Sequence, residues 1–324
     1  MNESLQQKTQ LTKIKVGTRG SKLALTQTEM VCERLRAAHP WLETEIVIIK
    51  SSGDWKPGQG EIRLSEAKGG KGQYVQNIED HMREGHIDIG VHSLKDVPTH
   101  MPDDLVVEHF MPRGDARDAF ISHKSVSLDE LPAGAVVGTS SPRRQAVILN
   151  RRPDLQVVTL RGNVDTRIEK LQKGQVDAMI LAAVGLKRLG RESIISSYIE
   201  PEAMLPAVGQ GTVAIESRKD DHVVHALLEG INHLETRIVT AAERSLLGVL
   251  DGSCGTPIGS YAMFIEPGVM RLRGFFASPD GTEIFHADEN APVASVEDAY
   301  ALGLRVGRSL REMIPQAVLL SCVS

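Results

Sequence analysis

Apolar positions along this chain follow two alternating rhythms. Short β-branched runs at 13–19 (KIKVGTR), 44–51 (TEIVIIKS) and 87–93 (IDIGVHS) read as strands, the second of them buried. Between them, 21–40 (SKLALTQTEMVCERLRAAHP) and 73–85 (QYVQNIEDHMREG) repeat apolar residues every three to four positions, which predicts amphipathic helices. Ser21 offers the first helix an N-cap, Pro40 ends it, and Gly85 stops the second. A glycine-rich loop at 52–60 (SGDWKPGQG) separates the two halves of this βαβαβ pattern. Strands parted by helices imply a mostly parallel sheet covered on both faces.

The same rhythm restarts near Arg117, with strands at 135–140 (AVVGTS), 155–160 (LQVVTL) and 176–182 (VDAMILA). The helices between them are 141–152, with Ser141 as N-cap and Pro142 in the first position, and 163–174, capped by Asn163. VGTRGSKLAL (16–25) and VGTSSPRRQA (137–146) both set V-G-T at a strand end, then a serine, then a helix, so the two units look like copies of one plan. From about residue 233 the texture changes. A helix over 235–250 leads through the turn DGSCGTP into strand-like runs at 258–266, 269–278 and 282–288, followed by a helix over 296–314. The expected fold class is α/β: two doubly wound lobes plus a C-terminal α+β domain with a three-stranded antiparallel sheet.

A length of 324 residues suits two or three domains, and 41% hydrophobic with 24% charged residues is ordinary globular usage. The opening MNESLQQKTQLTK lacks the apolar core of a secretory signal, and no apolar run reaches membrane-spanning length, so a cytoplasmic protein without a membrane partner is expected. Cys32, Cys254 and Cys322 are odd in number and far apart, which argues against a disulfide framework or a cysteine-rich zinc site. A formal net charge of −5 gives nucleic acid no global attraction, so anion binding has to be local. Arg143, Arg144, Arg151, Arg152, Arg161, Arg167 and Arg188 crowd one region, where solvated helix faces are the bland explanation and an anion site the sharper one.

Both V-G-T turns lead into helix N-termini, whose free N–H groups attract anions. Arg19 beside one, and Arg143 with Arg144 beside the other, make each a candidate carboxylate or phosphate site; capping explains the serines but not the arginines. Arg161 and Arg167 flank the start of the next helix and can grip carboxylates bidentately. VHSLKDVPT (91–99) follows a buried strand, so His92, Ser93, Lys95 and Asp96 fall at a strand's C-terminal end, where open α/β sheets bind ligands. Asp96 reads either as a surface ion pair with Lys95 or, amid arginines, as a carboxylate able to steady a cationic intermediate or shuttle a proton. HVVH (222–225) has metal-like spacing without a third ligand, and neither a Walker A loop nor a G-x-S-x-G turn occurs. No metal is expected. Cys254 is left as an exposed thiol on a turn.

In combination, GTRGSKLALTQ, GGKG, DIGVHSLKDVPT, RDAFIS, VGTSSPRRQ, LRGNVDTR, LAAVGLKRLG, LPAVGQGTVAIE and GSCGTPIGSYA resemble, in the same order, the porphobilinogen deaminases (hydroxymethylbilane synthases) of tetrapyrrole biosynthesis. The resemblance spans about residues 13–262. It implies a transferase that adds four porphobilinogen molecules successively, with loss of ammonia, to a dipyrromethane primer, then releases hydroxymethylbilane by hydrolysis. By motif position the primer is a covalent cofactor on Cys254 through a thioether, a bond that suits a soft thiolate nucleophile. Asp96 takes the catalytic role. Arg19, Ser21, Lys71, Tyr74, Ser93, Lys95, Thr139, Ser140, Ser141, Arg143, Arg144, Arg161, Arg167, Arg188 and Gln210 take the acetate and propionate groups or the substrate ring. The implied lobes resemble type II periplasmic binding proteins and comprise 1–112 with 212–231 and 113–211, followed by a cofactor-carrying domain at 232–324. A monomer is implied.

Four positions depart from the family pattern: Tyr74 stands for another aromatic, Pro142 stands where leucine is common, and Ser253 and Gly255 flank the cysteine in place of glycine and glutamine. A non-enzymatic two-lobed anion receptor, or an amine-eliminating enzyme for another substrate, fits the same arginines without the covalent group.

Overall fold

The computed structural model describes residues 11–50, 72–250 and 255–322. Its first unit runs β1 (Lys13–Arg19), α1 (Lys22–Ala38), β2 (Glu43–Ile49), α2 (Gly72–Arg83), β3 (Ile89–Ser93) and, after a single 3₁₀ turn at Leu94–Asp96, β4 (Leu105–Phe110). The second has β5 (Asp118–Ser122), β6 (Val136–Gly138), α3 (Pro142–Arg151), β7 (Gln156–Val158), α4 (Val164–Gln172), β8 (Ala178–Ala182), α5 (Ala183–Arg188) and β9 (Ser197–Ile199). The chain then returns as β10 (Val213–Arg218) and α6 (His222–Glu229). The last unit holds α7 (Leu234–Val249), β11 (Ile258–Glu266), β12 (Val269–Ala277), β13 (Ile284–Pro292), α8 (Val296–Met313) and α9 (Gln316–Ser321).

The strand orders are β2-β1-β3-β10-β4 and β7-β6-β8-β5-β9. The two sheets therefore share one plan: β1-α1-β2-α2-β3 corresponds to β6-α3-β7-α4-β8, and V-G-T closes the first strand of each. The sheets are mixed rather than all parallel. β10 runs antiparallel to both β3 and β4, and β5 runs antiparallel to β8 and β9. Strands 105–110, 118–122, 197–199 and 213–218 are additions to the elements that periodicity predicts. The run at 44–51, expected to be a buried strand, is the edge strand β2, in which only Ile49 is buried.

Helix α1 shows how local sequence sets the fold. The Ser21 side chain accepts the Ala24 N–H, and Gln27, Val31 and Leu35, spaced by four, turn inward onto the sheet. The third unit lays α7 and α8 over the β11-β12-β13 antiparallel sheet, around Ala242, Leu246, Leu272, Phe276, Leu302, Val306 and Leu310. The two helices approach so closely that a methyl on Gly303 would lie 2.2 Å from the Ala242 carbonyl oxygen.

Two crossovers join the lobes, one leading into β5 and one into β10, and they lie side by side: the Gly114 N–H donates to Gly211 O at 3.1 Å. Gly211 has φ +95, and a Cβ there would lie 2.7 Å from Gly114 O, so neither the conformation nor the space admits a side chain. The buried Glu243 of α7 takes Arg113 Nη1 at 2.6 Å, the Gly209 N–H at 2.7 Å and the Ala262 N–H at 2.9 Å, which ties both crossovers to the third unit.

Candidate active site

The turn bearing Asp96 emerges from β3, the central strand of the first sheet. Asp96 and Lys95 are partly exposed there, while Leu94 is buried beneath them. Lys95 Nζ donates to Gln210 Oε1 at 3.2 Å. From the other lobe, Arg188 Nη2 donates to Gly211 O at 2.8 Å. Cations from both lobes thus meet at Gln210–Gly211, on the crossover at the base of the cleft. Burial pulls the Arg188 guanidinium down to about 10, and among the described residues no carboxylate pairs with it. A desolvated cation of this kind favours an anionic ligand.

Ser93 exchanges hydrogen bonds with Gln27 at 3.0 and 3.2 Å. Gln27 escapes a motif-based reading, although a polar residue in register with Val31 and Leu35 on the apolar face of α1 is a legible signal. Ser141 accepts the Arg144 N–H and caps α3, Thr139 Oγ1 accepts the Ser141 N–H at 3.2 Å, and Ser140 Oγ donates to Leu160 O at 2.7 Å. These hydroxyls shape the second V-G-T turn. Arg161 and Arg167 are partly exposed at the start of α4, where Arg167 Nε donates to Gly162 O at 2.9 Å. Arg19 stands at the end of β1, beside the Ser21 cap. Lys22 of the first lobe reaches Asp165 of the second at 2.9 Å, so the two helix N-termini face each other across the cleft.

Arg143 and Arg144 lie elsewhere in character. Both are buried and converge on the fully buried Asp118, at 2.7 and 2.6 Å. Their remaining Nη1 atoms donate to Leu205 O and Ile180 O, and Gln210 Nε2 adds a bond to Asp118 at 2.9 Å. Burial alone would raise the Asp118 carboxyl, but the two guanidiniums outweigh it and hold it far below the usual carboxylate range. Burial also pushes Arg143 below its ordinary value. It nonetheless faces the carboxylate of Asp118, which is held in its charged form, at 2.7 Å, and donates to Leu205 O as well. In this arrangement the pair is oriented inward, under the turn that it follows.

Lys71 and Cys254 lie outside the described residues, as does Ser253, and of Tyr74 only the backbone, in α2, is described. His225 of the HVVH run bonds Arg218 O at 3.0 Å, and no group of three or more metal-capable side chains occurs among the described residues. A polycarboxylate such as dipyrromethane fits what is present. Arg188 lacks an acidic partner among the described residues, Lys95 donates to the Gln210 amide, and Arg19, Arg161 and Arg167 stand on or beside the turns that lead into α1 and α4.

The family model for the porphobilinogen deaminase dipyrromethane cofactor-binding domain matches residues 14–226, and that for the porphobilinogen deaminase C-terminal domain matches residues 238–312. The chain is 46% identical over 299 residues to porphobilinogen deaminase of Nitrobacter hamburgensis, covering 92% of each chain. It is also 46% identical to the chloroplastic porphobilinogen deaminase of Oryza sativa subsp. japonica, over 86% of this chain and 78% of that one. Among solved structures, the methionine-binding protein MetQ aligns with a TM-score of 0.43 and 16% identity, over 68% of this chain and 90% of that one. Two matched domain families spanning most of the sequence, and a relative of this identity along nearly its whole length, place the chain in the porphobilinogen deaminase family.

Proposed function

We propose that the protein is a transferase that condenses four porphobilinogen molecules on a dipyrromethane primer held as a thioether on Cys254, releasing ammonia at each addition and finally hydroxymethylbilane. The observation that carries this reading, beside the family membership, is the meeting of Lys95 and Arg188 from opposite lobes at Gln210–Gly211, next to the Asp96 turn. When bound, the primer supplies a nucleophilic pyrrole carbon and carboxylates. The chain's own residues do the rest. Arg19, Arg161, Arg167, Arg188 and Lys95, assisted by Ser21, Ser93, Thr139, Ser140, Ser141 and Lys71, bind acetate and propionate groups of primer and substrate, with Tyr74 against the ring. Arg143, Arg144 and Gln210, which the family pattern also assigns to carboxylate binding, act here from below, fixing the second turn through Asp118. Asp96 accepts hydrogen bonds from pyrrole N–H groups, delivers the proton that the departing amine requires, and steadies the positive charge left on the substrate.

The working unit is a cytoplasmic monomer divided into 1–112 with 212–231, 113–211 and 232–324; one sheet per segment supports that division. Intact-mass measurement and turnover assays test the reading together. The purified protein should carry the extra mass of two linked pyrrole units, and Cys254→Ser should lose it. Asp96→Asn should keep that mass while turnover falls by roughly 100-fold or more, the scale of a lost acid–base group. A bare chain mass after incubation with porphobilinogen, or near-normal turnover in Asp96→Asn, sinks the corresponding assignment.

A further inference from the structure

The segment that follows Asp96 is gripped from another part of the molecule. Arg244 of α7 donates Nη1 to Val97 O at 3.3 Å, and Nη2 to Pro98 O at 2.8 Å and Thr99 O at 3.4 Å. Val97 is also the residue whose N–H closes the 3₁₀ turn, on Leu94 O at 3.0 Å. One guanidinium therefore grips three consecutive carbonyls beginning one residue past Asp96. Arg244 is partly exposed on an open cleft, and desolvation, unrelieved by any facing carboxylate among the described residues, pulls it down to about 10. A cation kept in such a place is costly where only filling is needed, since an apolar side chain of similar volume would serve better. What offsets the cost here is the set of carbonyl dipoles, which a guanidinium engages from two nitrogens in a fixed planar fork.

Among the described residues, Arg244 supplies the side-chain hydrogen bonds to the carbonyls of residues 97–99. Arg237, Thr240, Ala241, Arg244 and Gly248 line one face of α7, and together with Thr99 and Tyr300 they border an open cleft of about 450 Å³. A methyl on Gly248 would make an ordinary contact with Thr99 Cγ2, at 3.5 Å. Helix α7 ends at Val249, five residues before Cys254 in the sequence. The same helix thus grips the carboxylate's turn and leads into the tether.

We propose that Arg244 is a positioning residue for the reaction: by fixing residues 97–99 to α7, it sets where the Asp96 carboxylate stands relative to the group carried on Cys254. This rests on the reading of Asp96 given above. A misplaced carboxylate costs rate in the chemical step while the arginines that bind carboxylates are untouched, so kcat and KM should part company.

The test compares Arg244→Met, Arg244→Lys, Tyr300→Phe and Asp96→Asn in steady-state turnover of porphobilinogen, normalised to the fraction of protein carrying the primer mass. Arg244→Met should lower kcat about 10-fold or more with KM within about twofold, Arg244→Lys should fall between it and the parent, and Tyr300→Phe, across the cleft, should match the parent. Unchanged kcat in Arg244→Met, or a loss that vanishes on normalisation, overturns the proposal. Should Arg244→Met fail to fold, Arg244→Lys decides: parental kcat refutes the role, and reduced kcat at constant KM supports it. An active Asp96→Asn would instead remove the catalytic reading. Inactive Asp96→Asn with normal Arg244 variants would remove only the positioning role.

Discussion

Asp118 pairs with two guanidiniums at once, and its replacement exposes what that pairing is worth. Asp118→Asn leaves two buried cations facing an amide and should destabilise the protein by roughly 3–5 kcal/mol, read from chemical denaturation. Because the carboxyl is held below its ordinary range in the folded state, its contribution is fully present above the unfolded value near 3.9 and is lost as pH falls toward the folded value. The parent should therefore lose stability on acidification below about pH 4, and Asp118→Asn should lose less over the same interval. Arg161→Leu and Arg167→Leu, by contrast, change partly exposed groups and should impair primer assembly or chain elongation while the melting temperature barely moves. The difference between these arginines was only partly legible. Sequence shows guanidiniums beside helix starts, whereas the acid that Arg143 and Arg144 meet belongs to RDAFIS, on a strand of the same sheet far away in sequence. Burial decides which arginines face the cleft, and burial is a property of the folded lobe.

Elements whose signal is local are the ones that periodicity recovers. Helix α1, α3 and α4 start at Ser21, Ser141 and Asn163, each of which accepts a hydrogen bond from its own first turn. The repeated V-G-T turn foretells two sheets of equal plan. Strands β5 and β10 were illegible because their pairing depends on partners brought back from distant sequence, and a short buried run reads alike as strand or helix interior. In the third unit the close contact of α7 and α8 is likewise a tertiary fact, though Gly303 and Gly307, one helical turn apart in α8, mark the face. Gly303→Val should force these helices apart and cost about 1–3 kcal/mol in urea unfolding. Unchanged stability would mean that α8 shifts freely, contrary to its close seat on α7.

Across the whole molecule, ties between the lobes differ in kind. Lys22 and Asp165 form an exposed ion pair, worth at most about 1 kcal/mol, so Lys22→Ala should leave the melting temperature almost unchanged. The crossovers, by contrast, are pinned by backbone hydrogen bonds and by buried Glu243. The insertion of β10 between β3 and β4 also has a consequence for manufacture. A ribosome delivers β4 and then roughly a hundred residues before β10, a wait on the order of 5–20 s at ordinary elongation rates. Throughout that wait the first sheet has a vacant slot with two unpaired edges, while the second acquires all five of its strands. The later-made lobe should therefore be the first to finish. Released chains ending just before residue 213 should be cut by protease within 72–110 and resist within 118–199, and chains extended to residue 231 should resist in both regions. Resistance of 72–110 in the shorter chains would show that β3 and β4 close on each other without their central partner.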